Sequence, residues 1–161
     1  CARSSKHCDG WIMPNIYGCD SAKKGLAFVS LPNVSIWIPC PKTRNFLNIL
    51  EFYFLECNKI FCDALFIEDV LFVRNYKATL ELAQVFGVVC LSFKLRNIPV
   101  FSVGNTVWKK DIVGSGKADK ETIKQFVATS SYFSLPVDIT DDIADAGCIA
   151  LWGNMRMNKN G

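Results

Sequence analysis

Residues 66–72 read FIEDVLF, a run in which Glu68 and Asp69 interrupt apolar residues on both sides, Ala64-Leu65-Phe66-Ile67 before and Val70-Leu71-Phe72-Val73 after. A carboxylate taken into apolar surroundings costs several kcal/mol unless something pairs with it. The run therefore either reaches the surface at Glu68 or brings Glu68 to a positive charge. Short, and rich in Phe, Ile and Val, Asp63 to Val70 reads as a buried strand of the parallel type, because a helical segment precedes it.

That helical segment begins at Thr43-Arg44-Asn45 and carries apolar residues over a wide face to about Lys59. Further upstream, Ile16–Cys19, Leu26–Val29 and Val34–Ile38 read as an antiparallel meander with turns at Lys23-Lys24-Gly25 and Pro32-Asn33. Downstream, Lys77 to Lys94 reads as a helix that is apolar nearly all round, as expected of a helix that is either central or packed on a partner as well as on its own core. Pro99–Val103 supplies the last strand, and Ala118–Ser130 and Asp141–Trp152 supply two more helices. The order β-β-β-α-β-α-β-α-α is that of one α/β layered domain. Residues 1–13 form a loose leader, 14–155 the domain and 156–161 a polar tail.

Half of the 161 residues are hydrophobic and Phe alone contributes 12, so a packed core is expected rather than disorder. No uninterrupted apolar run reaches the roughly 18 residues of a spanning helix, and no membrane partner is expected. The eight cysteines are scattered without the close pairs of a zinc site, and Cys19, Cys90 and Cys148 lie in apolar segments. They are expected to be reduced thiols, while Cys1 and Cys8 are the two that could pair. The lone His7 lies in the polar leader, which removes histidine-based nucleophilic triads. A net charge of +3 is no sign of a nucleic-acid partner by itself, although lysines and arginines recur in pairs.

Four carboxylates stand out by position. Asp20 ends the first strand, Glu68 ends the fourth, and Asp142 and Asp145 share a face near the start of the last helix. Parallel neighbouring strands can set Asp20 and Glu68 side by side at their C-terminal ends, where open α/β sheets place their sites. Converging negative charges call for hard divalent cations, Mg2+ or Mn2+. Two such ions form an apparatus for displacement at phosphorus that needs no histidine. On spacing alone, Asp142 is equally a partner of the helix N-terminal dipole and Asp145 a solvated first-turn charge.

At these residues the sequence resembles the RuvC family of Holliday-junction resolvases, within the ribonuclease H-like fold, from about Ile16 to Trp152. Ile16-Tyr17-Gly18-Cys19-Asp20 is similar to the family's opening IxGxDP, and Phe66-Ile67-Glu68-Asp69-Val70 to its IEQVF stretch, continuing into Asn75, Leu80, Gln84 and Gly87. Val113-Gly114-Ser115-Gly116-Lys117-Ala118-Asp119-Lys120 is similar to VxGxGxAxK, and Asp142-Ile143-Ala144-Asp145-Ala146 to the closing DxxDA. Ser21 in place of the usual Pro and Ala83 in place of Gly depart from the bacterial pattern, and the short Ser21–Gly25 turn with Trp108-Lys109-Lys110 looks more like the chloroplast and phage branches.

The resemblance implies a mixed five-stranded sheet flanked by helices, and a homodimeric endonuclease that resolves four-way DNA junctions by paired symmetric nicks. Asp20, Glu68, Asp142 and Asp145 would be the catalytic metal ligands, holding two Mg2+ per site, with Mn2+ as a substitute. Two dications would add four positive charges to the net +3 on the DNA-facing side. Lys109, Lys110, Lys117, Lys120, Arg74 and Lys77 would meet phosphates, and Gly114 and Gly116 would let the backbone approach the strand. Leu71 and Phe72 either probe the crossover or pack as core. Asp69, facing away from Glu68, is left out of the site. The alternatives are a nuclease of forks and flaps, or an inactive junction binder. The location implied is inside the cell with the DNA, in a bacterial or phage-host cytoplasm or an organelle nucleoid.

Overall fold

The computed structural model of the protein describes residues 14–22, 24–71, 75–136 and 138–159. Its elements in chain order are β1 (Ile16–Ala22), β2 (Gly25–Ser30), β3 (Val34–Pro39), α1 (Phe46–Cys57), β4 (Ala64–Glu68), α2 (Tyr76–Lys94), β5 (Val100–Val103), α3 (Asn105–Val113), α4 (Lys120–Thr129) and α5 (Asp141–Lys159). The strands form one sheet in the order β3-β2-β1-β4-β5. The meander β1-β2-β3 is antiparallel, and β4 joins β1 in parallel, with Cys19 level with Ile67. Strand β5 then adds in parallel beyond β4. This is the expected mixed five-stranded sheet.

Each sheet face carries its own core. On one side Tyr17, Cys19, Leu26, Phe28, Leu65 and Ile67 pack with α1 and α2 through Tyr53, Val85, Val89 and Phe93. On the other side Ile16, Ala64 and Phe66 pack with α3, α4 and α5 through Trp108, Ile123, Val127, Cys148 and Ile149. Neighbouring residues of one strand feed opposite cores because strand side chains alternate. Helix α5 comes unusually close to the sheet at Gly18, where an added Cβ would stand 2.1 Å from the Ala146 carbonyl oxygen and 2.3 Å from the Ala150 nitrogen.

Four differences from the sequence expectations have physical reasons. Strand β1 continues past Asp20 to Ala22 because the hairpin pairing with β2 runs on to Ala22 opposite Gly25. Helix α3 was not anticipated: Trp108 is its one fully buried residue, and Gly104 caps it without a side-chain bond, so neither an apolar period nor a capping signal marks it. Helix α5 continues to Lys159 instead of ending at Trp152, and Arg156 in that extension bonds Asp111 at 3.2 Å and lies over the Trp152 ring. Helix α2, finally, is long and apolar enough to cross a membrane by length and composition once its polar interruptions are averaged. Its inner side, Val85, Val89 and Phe93, is nevertheless committed to the sheet.

Among the described residues Cys19, Cys40, Cys57, Cys62, Cys90 and Cys148 are free thiols, as expected. The leader with Cys1, His7 and Cys8 lies outside the described residues.

Candidate functional site

Strand alternation selects the face on which the first two acids stand. Ile16 and Gly18 of β1 face the α5 side, and Asp20 follows them two residues on; Ala64 and Phe66 of β4 face the same side, and Glu68 follows. Because Cys19 and Ile67 are level, the next pair along the seam is Asp20 and Glu68. A protonated Asp20 hydroxyl is close enough to donate a hydrogen bond to Glu68.

Helix α5 brings the other two. Its first turns carry Asp142 and Asp145 over the end of the seam, and the contact of Gly18 with Ala146 and Ala150 sets its height above the sheet. Asp145 is only 8% exposed and Asp20 9%. Desolvation first, and then the charges of Glu68, Asp145 and Asp142, push the Asp20 carboxyl well above the usual carboxylate range. Desolvation, then Glu68, pushes Asp145 up to about 7. Glu68 is raised by burial as well, with hydrogen bonds from Asn105 and Trp108 working against the rise. Such mutual repulsion among desolvated acids is the electrostatic pattern of a functional site rather than of a solvated face.

Helix α3 completes the wall. The Asn105 amide nitrogen and, at 3.4 Å, the Trp108 indole N–H both donate to Oε1 of Glu68. Sequence reasoning missed Asn105 and gave Trp108 no role of its own. The only signal available was the Gly104-Asn105 pair directly after a strand, and it says nothing about which acid Asn105 would meet. The cleft, about 170 Å³, is lined by Asp20, Ser21, Glu68, Asp69, Leu71 and Asn105 among others. Asp69 borders the same cleft, while its backbone N–H continues the ladder to the Val103 carbonyl oxygen and its charge acts on Cys90 on the α2 side of the sheet. A roomier hollow of about 590 Å³ near Asn15 and Tyr132 lies at the opposite end of β1 and touches none of the four acids.

The basic residues divide. Lys109 and Lys120 act electrostatically on the acids, both lowering Asp145, so they face the cluster. Lys120 also pairs with Asp141 at 3.3 Å, and Lys124 pairs with the same carboxylate at 3.1 Å. Lys110 and Lys117 are exposed on the α3–α4 side. Lys77 lies against Glu81 of its own helix at 4.0 Å, not in the cleft. Leu71 is 55% exposed at the rim and so is not core. Gly114 ends α3 in a left-handed conformation at φ 90°, and Gly116 fits against Thr106, whose carbonyl oxygen an added Cβ would approach to 3.0 Å. Both glycines thus have a reason within the fold. Arg74 and Phe72 lie outside the described residues.

Among the described residues, no three His, Cys, Asp or Glu side chains stand close enough together to enclose one metal ion. The chemistry of the donor set still fits a hard divalent cation. All four candidates are carboxylates, and Oδ1 of Asp145 is buried with no hydrogen-bond partner. Buried carboxylate oxygens without donors are costly unless a cation or proton meets them.

Comparison with known proteins bears on this geometry. A family model, Crossover junction endodeoxyribonuclease RuvC, matches residues 44–152. The chain is 33% identical over 114 residues to the crossover junction endodeoxyribonuclease RuvC of Baumannia cicadellinicola subsp. Homalodisca coagulata, covering 68% of this chain and 65% of that protein. It is 34% identical over 97 residues to the protein of the same name from Chlamydia felis, covering 58% and 56%. The matches therefore span between about half and two thirds of the length of these relatives. Among solved structures, Thermus thermophilus RuvC in complex with Holliday junction substrate superposes with a TM-score of 0.72 at 15% identity, over 89% of this chain and 96% of that one. The yeast mitochondrial Holliday junction resolvase Ydc2 gives 0.63 at 12%, over 92% and 82%. At these identities the structures speak for the fold, which is of the ribonuclease H-like type.

Proposed function

The chain belongs to the RuvC family, and from that premise we propose that it is a metal-dependent endonuclease that resolves four-way DNA junctions. The observation that carries the reading is the convergence of Asp20, Glu68 and Asp145, two of them nine-tenths buried, at the shared end of β1 and β4 under the first turns of α5. A pure DNA binder gains nothing from buried negative charge aimed at phosphates. That a relative of the same fold is named as a complex with Holliday junction substrate supports the choice of DNA.

Asp20, Glu68, Asp142 and Asp145 would hold the cation, with Mg2+ the first choice and two ions per site the expected number. A divalent ion bound there supplies Lewis acidity at the scissile phosphate and lowers the pKa of the attacking water. The chain's own residues do the rest. The carboxylates would have to be ionised to hold the cation, so its binding would release the protons that burial and mutual repulsion favour in its absence. Lys120 and Lys109, facing the cluster, offer positive charge to phosphate oxygens as charge develops on them. The exposed Lys110 and Lys117 hold the neighbouring backbone, and Leu71 stands at the rim where an unpaired base would be met.

A junction has two strands to cut symmetrically, and a twofold homodimer supplies two sites. Helix α2 offers the surface. Tyr76, Leu80 and Leu91 are 74%, 45% and 51% exposed along its outer side, and an added Cβ at Gly87 would meet nothing within 4 Å, so the outer face there is open to a second helix. The test is a synthetic four-way junction, a fork and a linear duplex incubated with the protein and Mg2+ or EDTA. Paired nicks in the junction alone, lost in EDTA, are expected. Faster cutting of forks would move the substrate to other branched DNA, and binding without cutting would make the chain an inactive junction binder.

A further inference from the structure

Both donors that α3 brings to Glu68 go to one oxygen. We infer that the Asn105 amide and the Trp108 indole N–H hold Glu68 to a single free carboxylate oxygen, and that this makes the site select a small octahedral cation over calcium. The inference rests on the reading of Glu68 as a cation ligand. An ionised carboxylate oxygen has two lone-pair positions, and on Oε1 the Asn105 Nδ2 and the Trp108 Nε1 take both. Oε2 alone is left without a donor from α3.

Neither donor can readily leave. Trp108 has no exposed surface and its ring sits in the core between the sheet and α5, so the indole N–H is fixed in direction. Asn105 is the first residue of α3, tied to the same rigid turn as Trp108 through the Trp108 amide bond to Gly104. Calcium takes six to eight oxygens and commonly uses both oxygens of a carboxylate, whereas magnesium keeps octahedral geometry with single carboxylate oxygens and water. A clamped Glu68 denies calcium one of its usual ligand modes and costs magnesium nothing.

The test measures cation binding without DNA. Mn2+, as a tighter-binding stand-in for magnesium, and Ca2+ are titrated calorimetrically into the wild type, Asn105→Leu, Trp108→Phe and Glu68→Gln, each checked by circular dichroism for the native fold. Asn105→Leu keeps side-chain size and removes the donor at a half-buried position, so it carries the test even if the core variant Trp108→Phe does not fold. The ratio of Mn2+ to Ca2+ affinity is expected to fall about tenfold in Asn105→Leu, the lower end of what ligand-orienting partners contribute. A folded Asn105→Leu with the wild-type ratio overturns the clamp and leaves the cation site standing. Glu68→Gln binding both ions as the wild type does overturns the cation-site reading, and the clamp with it.

Discussion

The Lys120 ammonium lies 3.3 Å from the Asp141 carboxylate, an ion pair that ties the first turn of α4 to the first turn of α5 beside the acidic cluster. Lys124 reaches the same carboxylate from one turn further along α4 at 3.1 Å. Hydrogen bonding from Lys124, and then from Lys120, holds Asp141 below the usual carboxylate range. Asp141 thus occupies charge that DNA phosphates could otherwise use. Asp141→Asn is expected to reduce stability by no more than about 1 kcal/mol, since these are surface pairs. It should tighten junction binding and steepen its salt dependence by about one unit for each lysine released. Anisotropy titrations over a range of salt concentrations measure this; an unchanged slope would mean that both lysines point away from the bound strand.

Asp20 is buried among like charges, and its removal separates catalysis from folding. Asp20→Asn is expected to lower junction cutting by at least about 10³-fold, the upper scale of losing one group that acts on the transition state. Junction binding should remain. The same change deletes a repelled buried carboxylate, so the melting temperature in EDTA should rise rather than fall. Cleavage at the wild-type rate would remove Asp20 from the mechanism.

Much of this arrangement could be read from the chain. The two-residue alternation through Ile16, Gly18 and Asp20, and through Ala64, Phe66 and Glu68, is written in the apolar residues between them, and the intervening helix announces the parallel seam. Asp142 and Asp145 are three apart at a helix start, which any helical period puts on one face. The α3 wall was not legible for the opposite reason: Asn105–Val113 buries only Trp108 and has no capping side chain. What makes Asn105 matter is its distance to Glu68, 37 residues away, and local pattern carries no such distance. The same holds for Asp141, whose partners lie on α4. Gly114 and Gly116 were read toward DNA, yet the conformation at Gly114 and the close approach of Gly116 to Thr106 account for them within the fold.

Acid should stabilise the metal-free protein. Asp145 is pushed up to about 7, with desolvation first and Glu68 next among the causes. Its ordinary value is about 3.9. The folded state therefore binds this proton more tightly than the unfolded chain does. The resulting stability is fully present below about pH 4 and is lost as the pH rises through about 7, amounting to at most roughly 4 kcal/mol. Asp20 and Glu68, both raised, act in the same direction. Melting curves in EDTA should thus shift upward from pH 8 to pH 5, and saturating Mg2+ should flatten or reverse the trend, because the cation needs the ionised acids. A fall in melting temperature over that acid range in EDTA would contradict the burial of these groups.

The outer face of α2 can be tested without touching the cleft. Gly87 is exposed, with open space where its Cβ would stand, so Gly87→Arg places no strain on the fold and adds a charge only to the surface proposed for the partner. A helix interior also prefers Arg to Gly by close to 1 kcal/mol, so the isolated protomer should melt at the same temperature or slightly higher. At a helix–helix dimer interface the same arginine is a bulky, unpaired charge and should cost several kcal/mol of association. Light scattering is expected to give a dimer for the wild type and a monomer for Gly87→Arg, with paired nicking of the junction replaced by slow single nicks. If Gly87→Arg remains dimeric, the twofold axis does not run past Gly87.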